Sequence, residues 1–84
     1  MRIKVRIARE KSEEIRIHTE FIRLDALLKF ASIAMTGGEA KMYITDGMVR
    51  VNGEVCTMRG KKIYPGDTVS FEGTRYTVTA GEDL

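Results

Sequence analysis

Few residues of this chain have the types and spacing that catalysis requires. Its one histidine, His18, falls at an outward position of a strand-like segment, and its one cysteine, Cys56, ends another, where a small buried side chain is ordinary. Asp25 and Asp67 occupy places where a carboxylate stabilises a first helical turn or caps a Pro-Gly turn. The motifs GxxxxGK[ST], GxGxxG, CxxC and HExxH are all absent. We therefore expect no enzyme, no cofactor and no metal site.

Glycines and cations offer a different chemistry, the binding of an anion. Residues 36–41, TGGEAK, begin a helical pattern, and glycines at the first helical positions let a phosphate approach the free N–H groups there. The loop segment TMRGKKIY, residues 57–64, adds three cations beside a glycine. Either feature alone also fits a permissive turn or a solvated surface. Together with outward cations elsewhere they would form a phosphate-binding surface of seven side chains. These are Arg23, Lys29, Lys41, Arg50, Arg59, Lys61 and Lys62.

Length and composition limit the other possibilities. Eighty-four residues and 9.5 kDa make a single domain, with 43% hydrophobic and 31% charged residues. The net charge is +2, with six Lys and Arg against three Asp and Glu over residues 1–19, and one against four over residues 63–84. This asymmetry is a weak indication of an anionic partner. A lone cysteine and the lack of a signal-peptide or membrane-length apolar run predict a cytoplasmic protein.

The periodicity changes along the chain. Alternating residues 3–7 and 15–17 flank the charged stretch Arg9–Glu14, which predicts an N-terminal hairpin. From Leu24 apolar residues follow helical spacing for about three turns, with Phe30 and Ile33 widening the apolar stripe. A second helix is predicted from Gly37 to Asp46, with a capping box formed by Thr36 and Glu39 and a left-handed stop at Gly47.

Strands follow the helices. Asn52-Gly53 predicts a tight hairpin, Pro65-Gly66 a type II turn and Gly73-Thr74 a further turn between alternating segments. Runs of one element type predict an α+β fold, with two short helices packed on a small antiparallel sheet. We divide the single domain into a hairpin extension over residues 1–19, a core over 20–72, and a final strand with an acidic tail over 73–84.

From Arg23 to Phe71 the chain resembles the S-four RNA-binding domain. The resemblance lies in RLDALL, the cap followed by EAK, the pattern I..G.V.VNG, and PGD.V, in that order and spacing. Among the members of this family, the chain is most similar to the small stand-alone YaaA-type proteins. The resemblance implies an alpha-L motif, in which the two helices and the next hairpin bind structured RNA. Its RNA-binding positions correspond here to Arg23, Lys29, Thr36, Gly37, Gly38, Lys41, Arg50, Arg59, Lys61 and Lys62.

This chain departs from the family pattern at two places, and the resemblance also implies a binding partner. Many members carry a basic residue after the cap, where this chain has Gly37, and the common motif lacks residues 1–14. The implied partner is ribosomal RNA or tRNA, bound in ribosome assembly or translation without catalysis. Phe21, Phe30 and Phe71 are predicted to face the core, which leaves Tyr64 as the one loop aromatic available to stack on a base.

Two alternatives stay open at the level of sequence. A protein–protein module of a ribosome-associated assembly would use the same cations to bind an acidic protein. A β-grasp sulfur carrier would share the VRVNGEV and YPGDTVSF segments, although its terminal Gly-Gly is missing.

Overall fold

The structure, a computed structural model, describes residues 11–81. This part of the chain forms two helices and seven strands. In chain order they are β1 Lys11–Ile17, β2 Ile22–Arg23, α1 Leu24–Phe30, α2 Gly37–Thr45, β3 Val49–Val51, β4 Glu54–Val55, β5 Lys62–Ile63, β6 Thr68–Phe71 and β7 Thr74–Ala80. The predicted α+β class, with two short helices packed on a small sheet, is confirmed.

The strands form two sheets. The larger has the order β1-β7-β6-β3-β4, and the smaller pairs β2 with β5. All pairs are antiparallel except β1 with β7, which run parallel with Lys11 opposite Thr74 and Ile17 opposite Ala80. The sheet is therefore mixed, whereas an antiparallel one was predicted. A parallel pair needs a long crossover, and here it spans both helices and five strands.

The predicted N-terminal turn is wrong over Lys11–Glu14, because these residues already belong to β1. These four residues are all polar and exposed, and they are extended because they pair with β7. The remaining residues of that turn and the first hairpin arm lie outside the described residues. The division at residue 19 stays a prediction, but β1 is integrated into the domain: Ile15 and Ile17 are buried in the core that the rest of the chain forms.

The core lies between the helices and one face of the larger sheet. It takes alternate residues from the strands and one side of each helix, as the two periodicities require. Burial of these side chains is the main driving force for folding in a domain this small. The buried side chains are Ile15, Ile17, Leu24, Leu27, Leu28, Ala34, Ala40, Ile44, Val49, Val51, Ile63, Val69 and Val78.

Helix α1 is shorter than predicted, because the chain turns left-handed at Ser32, where φ is 63°. Ser32 N–H donates to the Lys29 carbonyl at 3.0 Å, and Ile33 N–H donates to the Leu28 carbonyl at 2.8 Å. This is the Schellman pattern, formed here without glycine. Phe30 consequently sits in the last turn with 60% of its surface exposed, so its predicted core position is wrong.

Helix α2 begins at Gly37, as predicted, and ends at Thr45, one residue before the predicted Asp46, which is its C-cap. The Thr36 hydroxyl accepts from the Glu39 N–H at 3.1 Å. The Glu39 carboxylate accepts from the Met35 N–H at 2.7 Å, and not from the Thr36 N–H that a capping box would use. Gly47 ends the helix with φ of 77°. Both ends of α2 are thus fixed by local hydrogen bonds.

The turns between strands largely follow their sequence signals. Asn52 and Gly53 have φ of 52° and 89°, as a type I′ hairpin turn needs. Gly66 has φ of 101°, and the Asp67 N–H closes its turn on the Tyr64 carbonyl at 2.9 Å. The predicted Gly73-Thr74 turn is displaced by one residue: Glu72 and Gly73 form it, and Thr74 already pairs with Phe71.

Candidate nucleic-acid interface

Backbone hydrogen bonds hold the cationic loop against the start of α1. The Leu24 N–H donates to the Lys61 carbonyl at 2.9 Å, and the Asp25 N–H donates to the Arg59 carbonyl at 3.1 Å. The short β2–β5 pairing places Arg23 opposite Lys62. The loop carbonyls thereby satisfy N–H groups that the first turn of a helix leaves unpaired. The result is a fixed set of cations around the start of α1.

Arg23 is oriented by a carboxylate two residues away. Its Nη2 lies 3.1 Å from Asp25 Oδ2, and the two side chains are 54% and 22% exposed. The guanidinium also lies near the loop, since a Cβ added to Gly60 would be 3.7 Å from the same nitrogen. At this exposure the ion pair adds little stability. It does fix where the Arg23 charge is presented.

A shallow cleft joins the two helices. It has a volume of about 230 Å³ and is lined by Arg23, Asp25, Ala26, Lys29 and Gly37. The cleft therefore brings together Arg23, which caps the start of α1, Lys29 within α1, and Gly37, the first residue of α2. A Cβ added to Gly37 would meet no atom within 4 Å, so the space beside it is open.

The rest of the α2 segment continues this surface. Thr36 and Gly38 flank Gly37 and are exposed. Lys41 is exposed one helical turn after Gly37, on the same side of α2. The predicted cap region and Lys41 therefore adjoin the cleft. We call the surface formed by this cap region, Arg23, Lys29, Lys41 and the loop Arg59–Lys62 the helix–loop surface.

Arg50 lies elsewhere. In β3 its neighbours Val49 and Val51 are buried in the core, so Arg50 points to the other face of the larger sheet. Its Nη1 donates to the Gly53 carbonyl at 3.3 Å. It lines a groove of about 540 Å³ together with Arg75. Of the ten predicted positions, the cleft thus groups Arg23, Lys29 and Gly37, with Thr36, Gly38 and Lys41 nearby on the α2 segment. The backbone of the loop Arg59–Lys62 is held beside Arg23, but the Lys61 side chain lines a separate groove next to the β3–β4 hairpin. Arg50 lies on the outer face of the larger sheet.

An aromatic pair borders the loop. The Phe21 and Tyr64 ring centroids are 5.7 Å apart at 49°, and the Lys62 ammonium lies 4.9 Å from the Phe21 centroid. Phe71 is half-buried and packs against the core, as predicted, whereas Phe21 is half-buried and packs against Tyr64 at the edge of the loop. The pairing of Phe21 with Tyr64 was not predicted, although a tyrosine directly before Pro-Gly-Asp is a visible signal for an exposed turn aromatic.

The residues considered for catalysis occupy ordinary positions. His18 is exposed at the end of β1, and Cys56 is half-buried beside the core. Asp25 pairs with Arg23, and Asp67 accepts hydrogen bonds within its turn. Within residues 11–81 no group of three His, Cys, Asp or Glu side chains is placed to hold a metal ion. No helix among these residues has the length and apolarity needed to cross a membrane.

Comparison with known proteins establishes the family. Residues 15–79 match the S4 domain. The chain belongs to the S4 domain family. Among curated relatives, the probable ribosome maturation protein RlbA of Bacillus subtilis is 44% identical over 59 residues, covering 70% of this chain and 83% of that protein. The putative RNA-binding protein YbcJ of Escherichia coli is 41% identical over 59 residues, covering 70% and 84%.

A solved structure shows the same S4 fold. The solution structure of YbcJ from E. coli, described as revealing an alpha-L motif involved in RNA binding, matches with a TM-score of 0.57 and 32% identity. The match covers 95% of this chain and 100% of YbcJ. The S-four resemblance and the alpha-L architecture are thereby confirmed. Membership of the S4 family leaves the β-grasp sulfur-carrier alternative without support.

Proposed function

We propose that this S4 domain binds structured RNA in the cytoplasm and catalyses no reaction on it. The observation that carries the proposal is the convergence of α1, the start of α2 and the loop on the helix–loop surface. Ribosomal RNA, bound during ribosome assembly, is our first choice of partner, because one relative is named a probable ribosome maturation protein. Transfer RNA is the second choice, since the surface described here distinguishes RNA by shape and charge rather than by sequence.

The contacts proposed are mainly to phosphates. A-form RNA is recognised largely through its shape, its 2′-hydroxyls and its backbone, for which exposed cations suffice. Lys29, Lys41, Arg59 and Lys61 are exposed and serve as such contacts. Arg23, held by Asp25, presents a planar guanidinium that suits a phosphate in two-point contact. Lys62 has a mixed role, because its ammonium also covers the Phe21 ring.

The start of α2 contributes through its backbone. The Thr36 hydroxyl accepts from the Glu39 N–H. Gly37 and Gly38 lie between these two residues in the first turn of α2 and are exposed. Without a Cβ at Gly37, a phosphate can approach the positive end of the helix closely. The glycine therefore takes the place of the basic residue that many family members carry there.

Arg50 is proposed as a separate, peripheral contact. It faces a groove on the outer side of the larger sheet, so one RNA reaches it only by extending around the β3–β4 edge. We therefore expect Arg50→Ala to weaken binding less than the removal of a loop cation.

The proposal is tested by comparing two double variants. Arg59→Ala with Lys61→Ala removes two loop cations, and Lys11→Ala with Arg16→Ala removes two exposed cations of β1. Lys62 is kept because it packs on Phe21. Binding to ribosomal RNA fragments is measured over a series of salt concentrations. The loop variant should bind more weakly, with a salt slope reduced by about one unit for each phosphate that the variant no longer neutralises. The β1 variant should bind like the parent chain.

Equal effects of the two double variants would mean that charge acts without a defined site, and no effect of the loop variant would remove the helix–loop surface. Circular dichroism of both variants checks that the fold is retained.

A protein partner is the second candidate function. It is favoured by the exposed apolar side chains of Phe30, Met35 and Met58, which are 60%, 81% and 64% exposed. Large exposed apolar side chains mark a protein interface where they form one contiguous patch. Association with ribosomal particles that survives nuclease digestion would support this function over RNA binding.

A further inference from the structure

We propose that Tyr64 stacks on an unpaired base of the bound RNA, so that the domain prefers a duplex interrupted by an unpaired nucleotide to a continuous one. This inference rests on the proposed RNA-binding function and names the class of RNA that the helix–loop surface selects. It goes beyond phosphate contacts, which do not distinguish a paired from an unpaired nucleotide.

The backbone of Tyr64 is held on both sides. Its N–H donates to Asp67 Oδ2 at 2.8 Å, and its carbonyl accepts from the Asp67 N–H at 2.9 Å. The preceding residue, Ile63, is fully buried in the core. A side chain on so constrained a backbone loses little further entropy when it binds a ligand.

The Tyr64 ring is available while its neighbour supports it. Tyr64 is 41% exposed, and Phe21, which is half-buried, contacts it at a tilt of 49°. The Phe21 ring is in turn covered by the Lys62 ammonium. Phe21 is therefore the supporting ring, and Tyr64 is the one with surface left for a further planar group.

Cationic side chains near Tyr64 could bind the phosphate of a nucleotide whose base stacks on the ring. β5, which ends at Ile63 directly before Tyr64, pairs with β2, where Arg23 lies opposite Lys62. Aromatic rings beside cations bind single-stranded nucleotides, with the ring taking the base and the cations taking the phosphates. Phe30, the exposed aromatic at the end of α1, follows Lys29 but has no supporting ring among the described residues.

The test is a double comparison of protein and RNA. The RNA probes are a short hairpin with a continuous duplex and the same hairpin carrying one bulged nucleotide. The proteins are the parent chain, Tyr64→Leu, Tyr64→Phe and Phe30→Leu, the last being a matched aromatic control. Stacking on an aromatic ring contributes about 1–3 kcal/mol per base, which corresponds to roughly 5- to 150-fold in affinity.

We expect Tyr64→Leu to lose affinity in that range for the bulged hairpin and much less for the continuous one. Tyr64→Phe should retain the preference, and Phe30→Leu should change neither affinity. An equal loss on both RNAs, or no loss on either, would overturn the stacking role.

If the parent chain, which keeps all its loop cations, binds neither hairpin, the RNA-binding proposal itself fails. Binding of both hairpins with equal affinity overturns only the role of Tyr64. The two failures are therefore distinguishable.

Discussion

The carboxylate of Asp67 connects two turns that are distant in sequence. One oxygen accepts from the Tyr64 N–H at 2.8 Å, and the other accepts from the Asn52 side-chain amide at 3.1 Å. Asn52 in turn accepts from the Thr68 N–H at 2.9 Å. The β3–β4 turn and the turn that carries Tyr64 are therefore fixed to each other by one side chain.

Replacing Asp67 by Ala should destabilise the domain by about 2 kcal/mol, because two hydrogen bonds to a charged, half-buried acceptor disappear. Asp67→Asn keeps one side-chain oxygen, so it should cost about half as much. Urea denaturation of both variants measures this. Equal losses of stability would show that the charge matters and the two separate acceptors do not.

Ser32→Gly should stabilise the domain by about 0.5 kcal/mol, because Ser32 occupies a left-handed conformation that is unfavourable for a residue with a Cβ. Gly47→Ala should have the opposite effect and lower stability by about 1 kcal/mol. The added Cβ would lie 3.7 Å from Val55, an ordinary contact, so this loss would arise from the positive φ of residue 47. Thermal unfolding of the two variants should shift in opposite directions. A shift in the same direction would contradict the conformational argument.

Asp25→Asn should tighten RNA binding by roughly two- to fivefold, since one negative charge is removed 3.1 Å from Arg23. The same change should lower stability slightly, because Asp25 lies in the first turn of α1. Affinity for ribosomal RNA fragments at low and high salt checks this, and the gain should shrink at high salt. Weaker binding would mean that the position of the Arg23 side chain matters more than its net charge.

Gly37→Val should leave the unfolding free energy within about 0.5 kcal/mol of the parent, since the added atoms enter open space. RNA affinity should nevertheless fall about tenfold, because the side chain blocks approach to the start of α2. Gly37→Ala should lie between. Unchanged affinity in both variants would remove the start of α2 from the interface.

Acid titration tests the parallel pairing of β1 with β7. The Thr79 hydroxyl, which donates to Glu14 at 2.8 Å, and then Arg16 hold the pKa of Glu14 below its ordinary value. A lowered pKa stabilises the fold above the unfolded-state pKa, and this contribution is lost as the pH falls through the folded-state pKa. Thr79→Val should therefore raise the pKa of Glu14, which carbon NMR of its carboxylate measures. No change would contradict this register.

The sequence predicted those helices and hairpins whose ends are set by neighbouring residues. Thr36 and Gly47 bracket α2, and Asn52-Gly53 gives the β3–β4 hairpin, because each signal acts through its own backbone. The end of α1 was missed, since a serine and not a glycine takes the left-handed position. The partner of β1 was missed as well, because alternation identifies a strand without identifying its neighbour.

The candidate surface was predictable in composition and only partly in arrangement. The loop cations were visible in the sequence, but their position beside Arg23 depends on β2 and β5, which are too short to show a period. Arg50 could have been separated earlier, because the alternation of Val49, Arg50 and Val51 already places it opposite the core.

The side-by-side arrangement of β1 and β7 has a consequence for biosynthesis. During synthesis, the pairing of residues 11–17 with residues 74–80 forms only after both segments have left the exit tunnel. Both helices and the loop can fold before then, while the Ile15 and Ile17 side chains stay exposed to solvent or contact other apolar surface. Because β1 pairs with the last strand described, this pairing is a late step in folding, and such a long-range pairing forms more slowly than the local contacts of a helical protein of the same size.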